Sequence, residues 1–142
     1  MPSGPRILLA QESEPASGAG ATAPAAPPYV NSTWRWQSTL FNDGRQVTPD
    51  APDRYTVQFM RDGRVNVRAD CNRGSAGYVR GSEGPQITIS AAATTKMACP
   101  PGSLGGEFLR QLEAVRGWTI DAGNLVLALK FDNGTMRFLA GN

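Results

Sequence analysis

The sequence predicts an α+β domain in which about seven to eight short antiparallel strands pack against one α-helix. Apolar and polar residues alternate in several short runs, which is the pattern of strands that bury one face. Turn-forming residues, such as Asp62 and Gly63, separate these runs. One stretch, about residues 103–116, instead has apolar residues at helical spacing.

The first strand is predicted to end near Leu40. It places Trp34 and Trp36 on the same face, because side chains two residues apart in a strand point the same way. The following residues, 41–53, contain two prolines and a glycine and are predicted to form a loop.

Two alternating runs follow this loop, with apolar residues at Tyr55, Val57, Phe59, Val65, Val67 and Ala69. Asp62 and Gly63 lie between the runs, and such a pair is typical of a two-residue β-hairpin turn. A glycine-rich turn is predicted at residues 72–77, and a short strand from Gln86 to Ser90.

The predicted helix carries an apolar stripe with spacings of four, four and three residues, formed by Leu104, Phe108, Leu112 and Val115. Ser103 is its predicted N-cap and Gly117 its predicted end. Leucines then recur at every second position, and a last strand follows a turn at residues 132–134. We expect the helix stripe and the apolar face of the sheet to bury each other.

The chain is predicted to comprise a disordered leader, residues 1–29, and a folded domain, residues 30–142. Residues 11–28 are mostly Ala, Pro, Gly, Ser and Thr, which cannot bury enough surface to offset the entropy lost on ordering. The short apolar run at 7–10 resembles a truncated signal peptide. No transmembrane segment is expected, because no apolar run has the length that spans a bilayer.

The composition disfavours catalysis and nucleic-acid binding. The 142 residues include no histidine, which excludes histidine-based triads and histidine zinc sites. Two cysteines cannot supply four thiolates, and no spacing of acidic residues indicates a catalytic carboxylate pair. The net charge is +2 with arginines and aspartates interspersed, so no basic face for nucleic acid is expected. We therefore expect neither enzymatic activity nor a cofactor nor a metal.

Cys71 and Cys99 are the only cysteines, and the residues alone leave three interpretations open. An even number of cysteines in an exported protein favours one disulfide. In a cytosolic protein, the two cysteines would instead be unpaired thiols. A redox pair is the third, although such pairs usually have close spacing and a group that lowers the thiol pKa.

Two segments of the sequence carry a family resemblance. The first reads Asp70-Cys71-Asn72-Arg73-Gly74-Ser75-Ala76-Gly77-Tyr78. The second reads Thr95-Lys96-Met97-Ala98-Cys99-Pro100. In this order, followed by a helix and a closing apolar strand, they resemble the META domain family. Its best-known bacterial members are the HslJ-like heat-shock-associated envelope proteins. The resemblance covers about residues 33–140.

The resemblance implies a sheet that curves into a partial barrel around the helix. It also implies a periplasmic or secreted location in the bacterial cell envelope and a role in stress tolerance or antibiotic resistance, with no established activity or cofactor. Because both motif cysteines recur together in the family, the resemblance favours their proximity, which permits a disulfide. The chain departs from the family at Asp70, where many members carry a glycine.

The residues of the first motif are interpreted as structural. Asn72 is expected to cap the backbone of its own turn. Gly74 and Gly77 are expected to provide a positive φ or a close approach of the backbone. Tyr78 is expected to pack its ring at the sheet edge and to keep its hydroxyl solvated.

The second motif is expected to bond the backbone through Thr95 and to pack Met97 in the core. Two interpretations are open for four aromatic residues, namely Trp34, Trp36, Trp118 and Tyr55. They either pack in the core or, where two of them share a face, line a binding groove for an apolar ligand.

These observations predict a monomeric, non-catalytic binding domain of the cell envelope, whose partner is an envelope protein or an apolar small molecule. The alternative is a periplasmic inhibitor of a protease or of lysozyme. Such an inhibitor would insert the leader or the loop at 41–53 into the active site of its target.

Overall fold

The computed structural model describes residues 27–81 and 84–141, which form one antiparallel sheet and one α-helix. The helix, α1, spans Gly105–Glu113. The strands are β1 (Thr33–Phe41), β2 (Gln46–Val47), β3 (Tyr55–Phe59), β4 (Arg64–Ala69), β5 (Asn72–Arg80), β6 (Ile87–Ile89), β7 (Ala93–Thr94), β8 (Val115–Asp121), β9 (Asn124–Leu129) and β10 (Gly134–Gly141).

The sheet curves until its two edge strands nearly meet. Eight strands follow the order β6-β5-β4-β3-β1-β10-β9-β8, while the short strands β2 and β7 pair beside β1 and β5. Between the edges, the backbone N–H of Trp118 in β8 donates to the Pro85 carbonyl at 2.9 Å. Gln86 and Gly117 form an isolated bridge at the same place. The described residues therefore form a nearly closed barrel with one α-helix, and the predicted fold class is confirmed.

The barrel interior is filled by the alternate residues of its strands. Trp34 and Trp36 of β1 are both buried, as the predicted shared face requires. The leucines at every second position of β9 are also buried. Phe108 of α1 reaches this interior, where its ring stacks on that of Trp36 with 5.0 Å between centroids. The helix stripe and the sheet bury each other, as expected.

The helix is shorter than predicted. It ends at Glu113, because Val115, the last member of the apolar stripe, begins β8 and pairs with β9. Gly117 consequently lies within that strand and does not end the helix. Ser103 is not the N-cap residue, although its Oγ accepts the N–H of Gly105 at 3.2 Å.

The segment 41–53, predicted to be a loop throughout, contains β2 and the start of a 3-10 turn at Pro52–Arg54. The predicted hairpin joins β3 to β4, but its connection comprises residues 60–63 and not two residues. The connection is longer because the Met60 N–H pairs with the Arg64 carbonyl at 2.7 Å and leaves three residues between them.

The predicted turn at residues 72–77 is wrong, because these residues form the first part of β5. They pair with β4 on one side, and Gly74 pairs with β7 on the other. A Cβ at Gly74 would overlap the carbonyl oxygen of Ala93 in β7. This glycine therefore permits close strand pairing. Gly77 has neither a positive φ nor a crowded neighbour, so the predicted need for glycine there is wrong.

The segment that precedes β1 packs into the barrel. Tyr29 is 0% exposed, and its ring meets those of Phe59 and Trp118 edge-on at centroid distances of 5.0 and 4.8 Å. The Tyr29 carbonyl accepts the indole N–H of Trp34 at 3.0 Å. The predicted leader, residues 1–29, lies outside the described residues except for its last three positions, and its final residue is part of the core.

Replacing Tyr29 by phenylalanine is expected to change the alkaline limb of the stability profile. Burial raises the pKa of Tyr29 to about 12 from its ordinary 10.0, so the neutral phenol is favoured in the folded state. This group contributes no pH dependence below pH 10, and the free energy of unfolding falls as the pH rises from 10 to 12.

Tyr29→Phe should flatten that fall without lowering stability at neutral pH. Its hydroxyl is buried and has no hydrogen-bond partner among the described residues, so no bond is lost. Urea unfolding across the alkaline range measures both proteins. A fall as steep in the variant as in the wild type would contradict the prediction.

A buried polar chain connects β1 to α1. The Trp36 indole N–H donates to Thr39 Oγ1 at 2.9 Å, and the Thr39 hydroxyl donates to Gln111 Oε1 at 2.5 Å. Gln111 then donates through Nε2 to Glu107 at 2.8 Å. Thr39 and Gln111 are both almost fully buried. The chain therefore orients the helix on the sheet, because any other placement would leave these groups without partners.

Thr39→Val is expected to lower the free energy of unfolding by about 2 kcal/mol or more. It leaves one buried donor, the indole N–H of Trp36, and one buried acceptor, Oε1 of Gln111, without a partner. Valine keeps the shape of threonine, so the loss isolates the hydroxyl. Thr39→Ser is the control, since it keeps the hydroxyl and should restore most of the difference. Urea denaturation midpoints measure both variants, and equal midpoints for the two would refute a role for the hydrogen bonds.

Candidate functional site

A polar pocket of about 330 Å³ lies where three segments of the chain meet. The residue that follows β4, Asp70, forms one side. The end of the 3-10 turn and the start of β3 supply Arg54 and Tyr55, and the exposed residues Thr48 and Asp50 lie at the rim with Ala51. Residues 100–104, which lead into α1, form the opposite wall. We call this the Asp70 pocket.

Asp70 is the buried charge of the pocket. Its side chain is 6% exposed, and its Oδ1 lies 3.4 Å from Nη1 of Arg54. The backbone is left-handed here, with φ 61°, a conformation that aspartate tolerates better than most residues. Its N–H donates to the Arg54 carbonyl at 2.7 Å, and its carbonyl accepts Nε–H of Arg68 at 3.1 Å. The backbone therefore holds the carboxylate in place.

A disulfide joins the two walls of the pocket. Cys71 and Cys99 are bonded, with Cα atoms 5.6 Å apart, so the disulfide interpretation is confirmed and the unpaired and redox interpretations are not. Cys71 follows Asp70, and Cys99 precedes Pro100. The bond therefore ties the carboxylate to the opposite wall. A structural disulfide indicates an oxidising compartment outside the cytoplasm.

Asn72 holds the second motif segment against β5. Its Nδ2 donates to the Met97 carbonyl at 3.0 Å, and its Oδ1 accepts the Met97 N–H at 2.7 Å. The Thr95 hydroxyl donates to the same Oδ1 at 2.9 Å and accepts the N–H of Arg73 at 3.1 Å. The prediction that Thr95 bonds the backbone is confirmed. Asn72 bonds this distant segment, so the prediction that it caps its own turn is wrong.

Two other motif predictions are wrong. Met97 is 64% exposed and does not pack in the core. Its backbone N–H and carbonyl bond the side chain of Asn72, and this holds its segment at the surface with the Met97 side chain outside. Tyr78 is buried, and its hydroxyl donates to the Met60 carbonyl at 2.6 Å in place of water. Ala98 of the second motif is exposed.

The aromatic residues do not form the predicted groove. Trp34, Trp36 and Tyr55 are each at most 5% exposed, and Trp118 is half-buried against Tyr29. They pack in the core, which is the other interpretation that the sequence left open. The Tyr55 hydroxyl alone reaches the Asp70 pocket, where it accepts the N–H of Leu104 at 2.9 Å.

Sequence reasoning missed Arg54 and residues 101–104 of the opposite wall, because neither lies in a recognisable motif; Pro100 ends the second motif but was not assigned to a site. The one available signal was Asp70, a charged residue where the family often has glycine. Within residues 27–81 and 84–141, no group of three His, Cys, Asp or Glu side chains is placed to hold a metal ion. The described part of the chain also has no helix with the length and hydrophobicity needed to cross a bilayer.

Comparison with known proteins agrees with this architecture. The chain is similar to an NMR structure of a protein from Burkholderia xenovorans, with 21% identity and a TM-score of 0.65, covering 92% of this chain and 98% of that one. It is also similar to the crystal structure of a DUF4847 family protein from Bacteroides vulgatus, with 18% identity and a TM-score of 0.59, covering 81% and 95%. Both likenesses concern the fold alone.

No curated protein matches the sequence. The comparison with protein families, however, matches residues 28–141 to the META domain. This range includes the ten strands described above, the helix, the disulfide and the Asp70 pocket. The chain belongs to the META domain family.

Proposed function

We propose that the protein is a non-catalytic binding domain of the cell envelope that acts in stress tolerance or antibiotic resistance, and that the Asp70 pocket is its binding site. The supporting observation is a buried carboxylate that lines a pocket whose two walls are joined by a disulfide. Concave sites with a few fixed polar groups are typical of small-molecule binding.

Three features support this proposal over catalysis. The chain has no histidine to activate a serine or cysteine nucleophile, and both cysteines are bonded to each other. Asp70 is paired with Arg54 and has no second carboxylate of comparable burial in the pocket. A polar pocket of this kind can bind a ligand, and its lining contains no histidine or lysine that would transfer a proton near neutral pH. The same polarity leads us to propose a polar ligand in place of the apolar one that the tryptophans suggested.

The test is an NMR titration of the isotopically labelled full chain with the small-molecule fraction of an envelope extract. We expect shifts at the amides of Asp70, Tyr55 and Leu104, and none in Asp70→Asn at the same extract concentration. Shifts confined to another surface, or equal shifts in the variant, would refute the proposed site.

A cellular test complements the titration. Cells that lack the gene should become more sensitive to envelope stress, and wild-type protein should restore tolerance better than Asp70→Asn does. The competing role is inhibition of a protease or of lysozyme. Assays of these enzymes with the full chain separate the two, and stoichiometric inhibition that survives Asp70→Asn would favour the inhibitor.

A further inference from the structure

We infer that the Asp70 pocket takes a small organic cation that carries N–H donors, namely a primary ammonium or a guanidinium group. This inference rests on the proposed binding function and specifies the chemical class of the ligand. Four observations support it: the charge of the lining, the weakness of the internal ion pair, the backbone donors at the helix start and the shape of the walls.

The described lining of the pocket carries a net negative charge. Its charged members are the carboxylates of Asp50 and Asp70 and the guanidinium of Arg54, which give the lining a net charge of −1. Asp70 is the buried member, while Asp50 is exposed at the rim. A monovalent cation would make the lining neutral, whereas an anion would add repulsion.

Arg54 satisfies Asp70 only in part. The distance of 3.4 Å is long for a charge-assisted hydrogen bond, and the Arg54 side chain is 55% exposed. An exposed guanidinium contributes little in such a pair, because water screens it. A carboxylate has about four acceptor positions, and Arg54 is the only side-chain donor bonded to this one among the described residues. A ligand with two or three N–H groups would fill the remaining positions.

Two of the backbone donors at the start of α1 are already used. The Leu104 N–H donates to the Tyr55 hydroxyl at 2.9 Å, and the Gly105 N–H donates to Ser103 Oγ at 3.2 Å. The helix start consequently has two fewer free donors to offer to an anion. The hydrogen-bonding groups that the pocket offers to a ligand are therefore mainly acceptors, above all the carboxylate oxygens of Asp70.

The walls favour a compact ligand with a short apolar body. Pro100 and Pro101 form one side of the pocket, and Tyr55 also lines it. A volume of about 330 Å³ is near the lower limit for small-molecule sites. A short alkylammonium or alkylguanidinium fits this description, with its charged end at Asp70 and its carbon atoms against the prolines.

The test is isothermal titration of the full chain with n-butylammonium, guanidinium, tetramethylammonium and acetate at constant low ionic strength. We expect the first two to bind, and tetramethylammonium to bind at least about tenfold more weakly because it has no N–H to donate. Acetate should not bind. Asp70→Asn should weaken butylammonium binding by at least about tenfold, since hydrogen bonds to a charged group are lost.

Arg54→Gln provides the sharpest discrimination. Removal of the internal guanidinium frees the carboxylate, so this variant should bind butylammonium several-fold more tightly than the wild type. An anion site would show the opposite result. The matched controls are Asp121→Asn and Arg137→Gln, which alter an exposed Arg–Asp pair at 2.8 Å elsewhere on the surface. Both controls should leave binding unchanged.

Asp70→Asn is expected to fold, because asparagine also tolerates the left-handed backbone. Asp50→Asn, at the rim, is the second variant and should weaken binding by a smaller factor. Acetate binding that is lost in Arg54→Gln would overturn the inference, as would cation binding that Asp70→Asn leaves intact. If no cation binds but envelope extract still shifts the Asp70 pocket, the ligand class is wrong and the proposed function stands. If neither binds, both fail.

Discussion

Replacing Cys71 and Cys99 together by serine is expected to lower the free energy of unfolding by about 3–4 kcal/mol. The disulfide closes a loop of 28 residues, and removing it restores the chain entropy that the bond takes from the unfolded state. For a domain of this size the loss is a large part of a typical total stability of about 5–15 kcal/mol.

Urea unfolding of the oxidised wild type, the reduced wild type and the double serine variant measures this effect. The reduced wild type is the matched control, because its sequence is unchanged, and it should lose nearly as much stability as the variant. Butylammonium binding should also weaken in both, since the walls at Asp70 and Pro100 are no longer joined. Equal unfolding midpoints for all three samples would show that the bond contributes no stability.

Phe108→Ala is expected to lower the free energy of unfolding by about 3–5 kcal/mol, the range for deletion of a fully buried aromatic ring. The Phe108 ring is 0% exposed and packs within about 6 Å of three others, at centroid distances of 5.0 Å from Trp36, 5.8 Å from Tyr55 and 6.2 Å from Phe138. Because it is the main aromatic contact between α1 and the barrel, its loss leaves a cavity where the helix docks.

Leu109→Ala is the control for helix propensity, because Leu109 is the next residue in α1 and is only partly buried. It should cost clearly less than Phe108→Ala. Urea unfolding followed by tryptophan fluorescence measures both, since Trp36 lies against the deleted ring. Comparable losses in the two variants would show that the helix is stabilised by its own turns and not by docking on the sheet.

Local patterns predicted the parts of the fold that depend on one short segment. Trp34 and Trp36 share a buried face, and the leucines of β9 are buried at every second position, because period-two alternation is a property of the strand itself. The same patterns misplaced the end of α1. Val115 suits a helix stripe and a buried strand equally well, and its pairing with Leu129 decided for the strand.

The predictions for the glycines at 72–77 and for Met97 were wrong for a related reason. Glycines at 72–77 are typical of a turn, yet Gly74 serves close pairing with a strand about twenty residues further along the chain. Met97 has an apolar side chain, yet the bonds of Asn72 hold its segment outside the core. In both cases a contact remote in sequence decided the outcome, and no local pattern reports such a contact.

By itself, the sequence determined that this chain is a sheet-rich domain of the META family and that it has no histidine for catalysis or metal binding. It also showed that the two cysteines lie in two motifs whose order resembles that of the family. Only the tertiary structure decided that Arg54, Asp70 and Pro100 surround one pocket. Secondary structure follows from the periodicity of neighbouring side chains, whereas a pocket is formed by segments that barrel closure and a disulfide bring together.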